Sequence, residues 1–396
     1  MTKQPGTLLA ADWGKPLKKR AVYKADVAGR AIERIDSEEW NLQLLLETAR
    51  EIVGAGKGPV VVSLDLALGI PKQFFQSVRR CERWRIADRF IDWLSLLNAE
   101  PDVFWEEVNS ADQWRVERPF FSVPKGQGAL TAFETTAGYS LRREVDRLTH
   151  AKPLFAVSGI PGTVGSGTRC LWQELAPLLS DNSRDFKVWP FEGPMDQLLK
   201  QENIIVAENY PAISYTSALR VELPGRKLIV SKTKAPQRTQ AVLMLSNAAW
   251  IATHGVTLPD LVAARDDEDD FDALMTAAAG LRCILEGYSL EQPDLDDPVA
   301  EGGMLLSSAV DFNVPGETLQ VDVAAVPPTT RRGRRTPKRK TRRFRCPICD
   351  MPFKNGRSGW DSHVGSFSKH PDWHPNVSQP EERKRLFKIE FPGFFD

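Results

Sequence analysis

The chain has 396 residues, 42% of them hydrophobic and 26% charged, with basic and acidic side chains in equal number. These are globular proportions, sufficient for one large domain plus an appendage or for two domains. A run of about 18 apolar residues, which a membrane-spanning helix requires, is absent. The balanced total hides an asymmetry: from residue 331 onward 17 Lys and Arg face 7 Asp and Glu, so the tail carries +10 and the body −10. A basic tail of this kind points to nucleic acid, DNA or RNA, as its partner, and no part of the sequence asks for a membrane.

Residues 1–5 lack the apolar core of a secretory signal. Of the five cysteines, Cys81, Cys170, Cys283, Cys346 and Cys349, only the last two are close together. That usage fits a cytoplasmic protein with one local metal site, not a disulfide scaffold.

Residues 7–27 read as a β-hairpin. Its first strand, Leu8-Leu9-Ala10-Ala11, ends in Asp12 and is broken by Gly14; its second alternates from Arg20 to Asp26. Residues 38–53 carry an apolar helical stripe of Trp40, Leu42, Leu44, Leu45 and Ile52. The run Val60-Val61-Val62-Ser63-Leu64 suits a central strand buried on both faces, and it too ends in a carboxylate, Asp65. Residues 73–150, with Trp84, Trp93, Trp105 and Trp114, read as a helical insertion.

A strand is expected at 154–157. The glycine-rich stretch 159–168 follows it and leads into a helix running to 178. Such a stretch either connects strand to helix or presents backbone amides to a phosphate. Further strands are expected at 186–191 and 203–208, the latter ending in Glu208, and helices at 236–253 and 271–288. Residues 289–345 read as a flexible linker that closes in the basic run 331–345.

Three apolar strands thus end in acids, Asp12, Asp65 and Glu208. A late helix opens on Asp269-Asp270-Phe271-Asp272, whose first and last acids share one face. An acid at a strand end commonly starts a turn, and acids at a helix start commonly answer its dipole. If the strand tips meet at one sheet edge, however, the acids together need a cation. Hard oxygen-ligated ions, Mg²⁺ or Mn²⁺, are what such a cluster takes, and two ions roughly 4 Å apart would serve phosphodiester hydrolysis.

The order of these motifs resembles the RNase H-like superfamily, and the acid-led helix resembles the D-x-x-D-A-L helix of Holliday-junction resolvases. More closely, the chain is similar to a family of predicted RNase H-like nucleases. The motifs are Asp12-Trp13-Gly14, Leu64-Asp65-Leu66-Ala67-Leu68-Gly69-Ile70-Pro71, Arg142-Arg143-Glu144-Val145-Asp146, Val164-Gly165-Ser166-Gly167, Val188-Trp189-Pro190-Phe191-Glu192-Gly193, Glu208-Asn209-Tyr210-Pro211 and the Asp269 helix. Ala67 stands where the family pattern has proline. The resemblance covers about residues 7–288. It implies an α/β fold with a mixed sheet flanked by helices, metal-dependent nuclease activity, and Asp12, Asp65, Glu208, Asp272 and Asp269 as catalytic metal ligands. The alternative is a non-catalytic nucleic-acid-binding or assembly protein on the same scaffold. Arg142, Arg143, Lys232, Lys234 and Arg238 are candidate phosphate contacts.

In the tail, Cys346, Cys349, His363 and His370 form C-x2-C-x13-H-x6-H, with His374 an alternative fourth ligand. Thiolates and imidazoles in this order suit a structural tetrahedral Zn²⁺, so residues 346–396 are expected to be a zinc-finger module. Arg334, Arg335, Lys338, Arg339, Lys340, Arg342 and Arg343 in the adjoining basic run would release counterions from a phosphate backbone.

Overall fold

The computed structural model of the chain describes residues 4–99, 102–124, 129–159, 163–201, 203–292, 297–321 and 372–391, together with Cys346, Ile348 and Val364. The body, residues 1–326, and the tail, 327–396, are separate compact units.

The body is mixed α/β. Its sheet is built from β1 (Thr7–Trp13), β2 (Arg20–Asp26), β3 (Ala31–Ile35), β4 (Val60–Leu64), β5 (Phe186–Val188) and β6 (Ile204–Glu208). The spatial order is β3-β2-β1-β4-β6-β5. The first three strands form an antiparallel meander, and β4, β6 and β5 continue from β1 in parallel. The expected hairpin is β1 and β2; β3 is a third strand that the sequence reading left out.

Strand side chains alternate between faces, and here each face meets its own core. Leu9, Ala11, Val62, Leu64 and Val206 face α1 (Leu42–Gly54), α2 (Gly165–Ser180) and the tryptophan-rich insertion. Leu8, Ala10, Val61, Ile205 and Ala207 face α3 (Pro211–Leu219), α4 (Ala235–Ser246) and α5 (Glu268–Glu286). Every residue of β4 is buried, which is why its sequence reads as a continuous apolar run.

Within the insertion, Trp84, Trp93, Phe104 and Phe120 pack edge-to-face against one another and against Trp172 of α2. The strand expected at 154–157 is Ala156–Ser158. It pairs with Phe121–Ser122 outside the main sheet. The helix expected at 236–253 is two, Ala235–Ser246 and Ala249–His254, parted at Asn247, whose side-chain amide donates to the Leu243 carbonyl and closes the first helix. The glycines in the first turn of α2 serve packing: a methyl on Gly165 would stand 2.5 Å from the Ala156 carbonyl oxygen and one on Gly167 2.8 Å from Leu66 Cδ2.

The linker expected from residue 289 is not a linker over its described part to 321. Met304, Leu305 and Leu306 are buried. Ile70 N–H donates to the Ala300 carbonyl at 2.8 Å, and Leu305 N–H to the Glu208 carbonyl at 2.9 Å. The Glu301 carboxylate accepts from the backbone N–H groups of Lys72 and Glu144 at 3.0 and 2.6 Å. The segment lacks periodicity because, apart from short turns, its backbone groups bond to other parts of the chain.

Candidate metal centre

At the carboxyl end of β1, Asp12 sits on the face shared by Leu8 and Ala10. Asp65 follows β4 with the parity of Val61, and its N–H donates to the Ala11 carbonyl at 3.0 Å, so the two acids are neighbours. Helix α5 lies across that same face. Asp267 caps it, accepting from the N–H groups of Asp269 and Asp270, and this fixes the first turn so that Asp272 points inward, only 1% exposed. Asp12, Asp65 and Asp272 each offer one oxygen, all within 4.8 Å of one another. Asp269, half-buried, is in side-chain hydrogen-bond contact with Asp12.

Burial raises the Asp12 carboxyl well above the ordinary range, and the charges of Asp65 and Asp272 raise it further. Burial likewise holds Asp65 up to about 7, against the relief that Lys232 gives it. Asp272 is raised by burial too, although Lys232 and the Tyr215 hydroxyl, which donates to its Oδ1, favour its charge. Lys232 Nζ donates to Asp272 Oδ2; the lysine side chain is 36% exposed and so faces both the acids and solvent. Its burial works against its charge, but Asp272, Asp12 and Asp65 keep it protonated far into the alkaline range. An oxygen-only, desolvated donor set of this kind fits Mg²⁺ or Mn²⁺. Of three ligands held on one octahedral ion by bonds of about 2.1 Å, at least two pairs are adjacent and about 3.0 Å apart, so oxygens up to 4.8 Å from one another must draw together to close on one ion.

Glu208 does not join them. It pairs with Leu64, not Asp65, and so its side chain lies on the opposite face of the sheet. There it forms a two-pronged ion pair with Arg143, both contacts 2.6 Å, and accepts the Leu68 N–H at 2.7 Å. Asp146 takes the other side of the same guanidinium at 2.8 Å. In register with the aspartates, on their side of the sheet, is Asn209, whose amide donates to Thr276 Oγ1 of α5 at 3.0 Å. An expectation built on strand ends alone was therefore out by one residue, and one residue reverses the face.

Two of the expected phosphate contacts are also structural. Arg143 is 1% exposed and committed to Glu208 and Asp146. Arg238 is 6% exposed and donates to the carbonyls of Lys232, Arg265 and Asp266, which ties the Lys232 loop to the segment leading into α5. Arg142 is half-buried and Lys234 exposed. Sequence reasoning gave no role to Asn209, Tyr215, Asp146 or Glu301, although Asn209 and Asp146 fall within the motifs it singled out.

In the tail, Cys346 is buried. His374 Nε2 is in contact with Glu390 Oε1 of the helix Pro380–Glu390, and Trp373 Nε1 donates to the same carboxylate at 3.0 Å. That contact occupies one ring nitrogen of the alternative zinc ligand. Cys349, His363, His370 and the basic run 331–345 lie outside the described residues.

No family model matches the chain, and neither the curated proteins nor the solved structures compared with it gave a match.

Proposed function

We propose that the body is an RNase H-like, metal-dependent nuclease that hydrolyses phosphodiester bonds, and that the basic, zinc-binding tail holds it on nucleic acid. The observation that carries this reading is the convergence of Asp12, Asp65 and Asp272 from three separate elements into one buried cluster. Burying like charges is costly, and an assembly of this kind is stable at neutral pH when a cation joins it. The antiparallel meander continued by parallel strands, with acids at the tips of β1 and β4, supports the RNase H-like assignment.

Asp12, Asp65 and Asp272 would hold Mg²⁺ or Mn²⁺, with Asp269 able to reach it through or beside Asp12. When bound, the ion would polarise the phosphate and make a water it holds more acidic. Lys232 then takes the place of a second ion. With Glu208 locked to Arg143, the cluster has ligands for one cation, and the lysine ammonium supplies the other positive charge to a phosphate arriving from solvent. Tyr215 fixes the rotamer of Asp272, so the ligand oxygen is in position before the ion arrives. The two-ion site expected from the sequence thus becomes one ion plus one lysine.

The test is Mn²⁺- or Mg²⁺-dependent cleavage of single- and double-stranded DNA and RNA. Asp12→Asn and Asp65→Asn are each expected to lower cleavage at least about 100-fold while nucleic-acid binding persists. Unchanged cleavage in both variants removes the site assignment. The second reading, a non-catalytic nucleic-acid-binding scaffold, is favoured by one observation: the Lys232 ammonium already offsets part of the acidic charge. Calorimetry that detects no Mn²⁺ binding to the folded protein would establish that reading instead.

A further inference from the structure

A cavity of about 180 Å³ opens beside Asp65, on the side away from α5. Leu66, Leu154 and Met304, all buried, give it an apolar wall, and the half-buried Tyr210 lines it next to them. His150 and Lys152 stand at its solvent edge. The charged groups that also reach it, Arg143, Asp146 and Glu208, are satisfied by one another and call for no charged ligand. Asn209 has spent its amide on Thr276 and its carbonyl oxygen on Ser214. What remains is an apolar slot with an aromatic side and a cationic lip. A void of roughly 150 Å³ accommodates a benzene ring.

Resting on the nuclease reading above, we infer that this cavity receives one unstacked nucleobase of the substrate, next to the bond being cleaved. Tyr210 offers the ring a stacking partner, and His150 and Lys152 lie where the attached phosphate would leave the slot. With the neighbouring hydrogen-bonding groups already engaged, the slot grips a base by its face and is tolerant of which base it is. A base can enter only from a single strand, a loop or end, or after rotation out of a duplex. The substrate class is therefore nucleic acid with an accessible unpaired nucleotide.

The test uses a single-stranded oligonucleotide with Mn²⁺, carrying one abasic site moved along the sequence, with kcat/KM measured for every bond. Losing a stacked base is expected to slow cleavage of the bond adjacent to the abasic site about tenfold, while distant bonds are cleaved as before. Ala67→Phe, which fills the slot, and Tyr210→Ala, which removes the stacking partner, should each slow cleavage about tenfold and flatten the abasic scan. Melting temperature and Mn²⁺ affinity, measured in parallel, establish that each variant is folded and keeps its metal site. Cleavage by the wild-type protein that ignores the abasic position overturns the slot and leaves the nuclease reading intact. Cleavage of duplex but not of the single-stranded oligonucleotide likewise overturns the slot alone, whereas failure of the wild-type protein to cleave single- or double-stranded DNA or RNA overturns both.

Discussion

Asp65 carries the most direct consequence at the scale of single residues. Burial holds its carboxyl up to about 7, against roughly 3.9 in an unfolded chain. The folded form therefore prefers the protonated acid. The stability from this group is complete below pH 4 and is lost as pH rises through 7. An ion pair can reverse the direction: Glu192, despite its burial, is held below the usual range by Arg184 and the Val188 N–H, whereas burial still raises Glu208, paired with Arg143, to about 6. Between pH 5 and 8 the metal-free protein is expected to melt at progressively lower temperature. Mn²⁺ should raise the melting temperature more at pH 8 than at pH 5, because the ion displaces the protons. Asp12→Asn, which removes one of the crowded charges, should raise the metal-free melting temperature at pH 8 while lowering Mn²⁺ affinity. Scanning calorimetry with and without Mn²⁺ checks all three, and a melting temperature indifferent to pH and metal would contradict them. Arg143→Ala tests the other side of the sheet. It strands Glu208 and Asp146 in the interior and is expected to cost about 3–5 kcal/mol by chemical denaturation.

The elements owe their positions to close contacts that periodicity does not announce. The turn after β4 and the segment around residue 301 lie backbone to backbone. A methyl on Gly69 would stand 2.2 Å from the Glu301 carbonyl oxygen, and one on Gly302 2.2 Å from that of Leu68. Both glycines also have positive φ, +132° and +73°. This clasp holds the Leu68 N–H on Glu208, and Glu301 on the start of the helix Glu144–Thr149 that carries Asp146. Gly302→Val should therefore destabilise the body by about 1–3 kcal/mol from backbone strain alone, with the packing clash adding to it. Because the clasp borders Asp65, Mn²⁺ affinity should fall as well. A variant as stable as wild type would show that the two turns are not in contact. On the opposite face, α5 relies on its first-turn cap: Asp267→Ala leaves the Asp269 and Asp270 N–H groups without their acceptor and is expected to cost about 1 kcal/mol.

At the scale of the whole molecule, the proposed function assigns separate tasks to the acidic body and the basic tail. The tail's ten cations between residues 331 and 345 face no acid within that run. Removal of residues 327–396, at the boundary between the two compact units, is expected to leave Mn²⁺ binding and the body's melting transition unchanged. Nucleic-acid affinity should fall, and the slope of log K against log salt should become shallower by several units, since each lost phosphate contact contributes about 0.9 on duplex DNA. Equal salt slopes for the full-length and shortened proteins would show that the body alone carries the contacts. No helix among the described residues is long and apolar enough to cross a membrane.

Four of the six main-sheet strands, β1, β2, β4 and β6, each with an apolar run of its own, and the acids near their ends are written in local sequence; the half-exposed β3 is not. The Val60–Leu64 run, the breaks at Gly14 and Gly69, and the three-residue spacing of Asp269 and Asp272 are properties of short stretches, and short stretches decide propensity and turns. The meeting of Asp12, Asp65 and Asp272 was legible to that extent. Register was not, because it is set by hydrogen bonds between β4 and β6, strands about 140 residues apart, and a shift of one residue exchanges Glu208 for Asn209 on the side of the three aspartates. The role of Arg143 was hidden for the same reason: a surface arginine and one buried between two acids read alike until the chain closes around them. Residues 297–321 looked like linker because their partners are distant, and only the folded body supplies those partners.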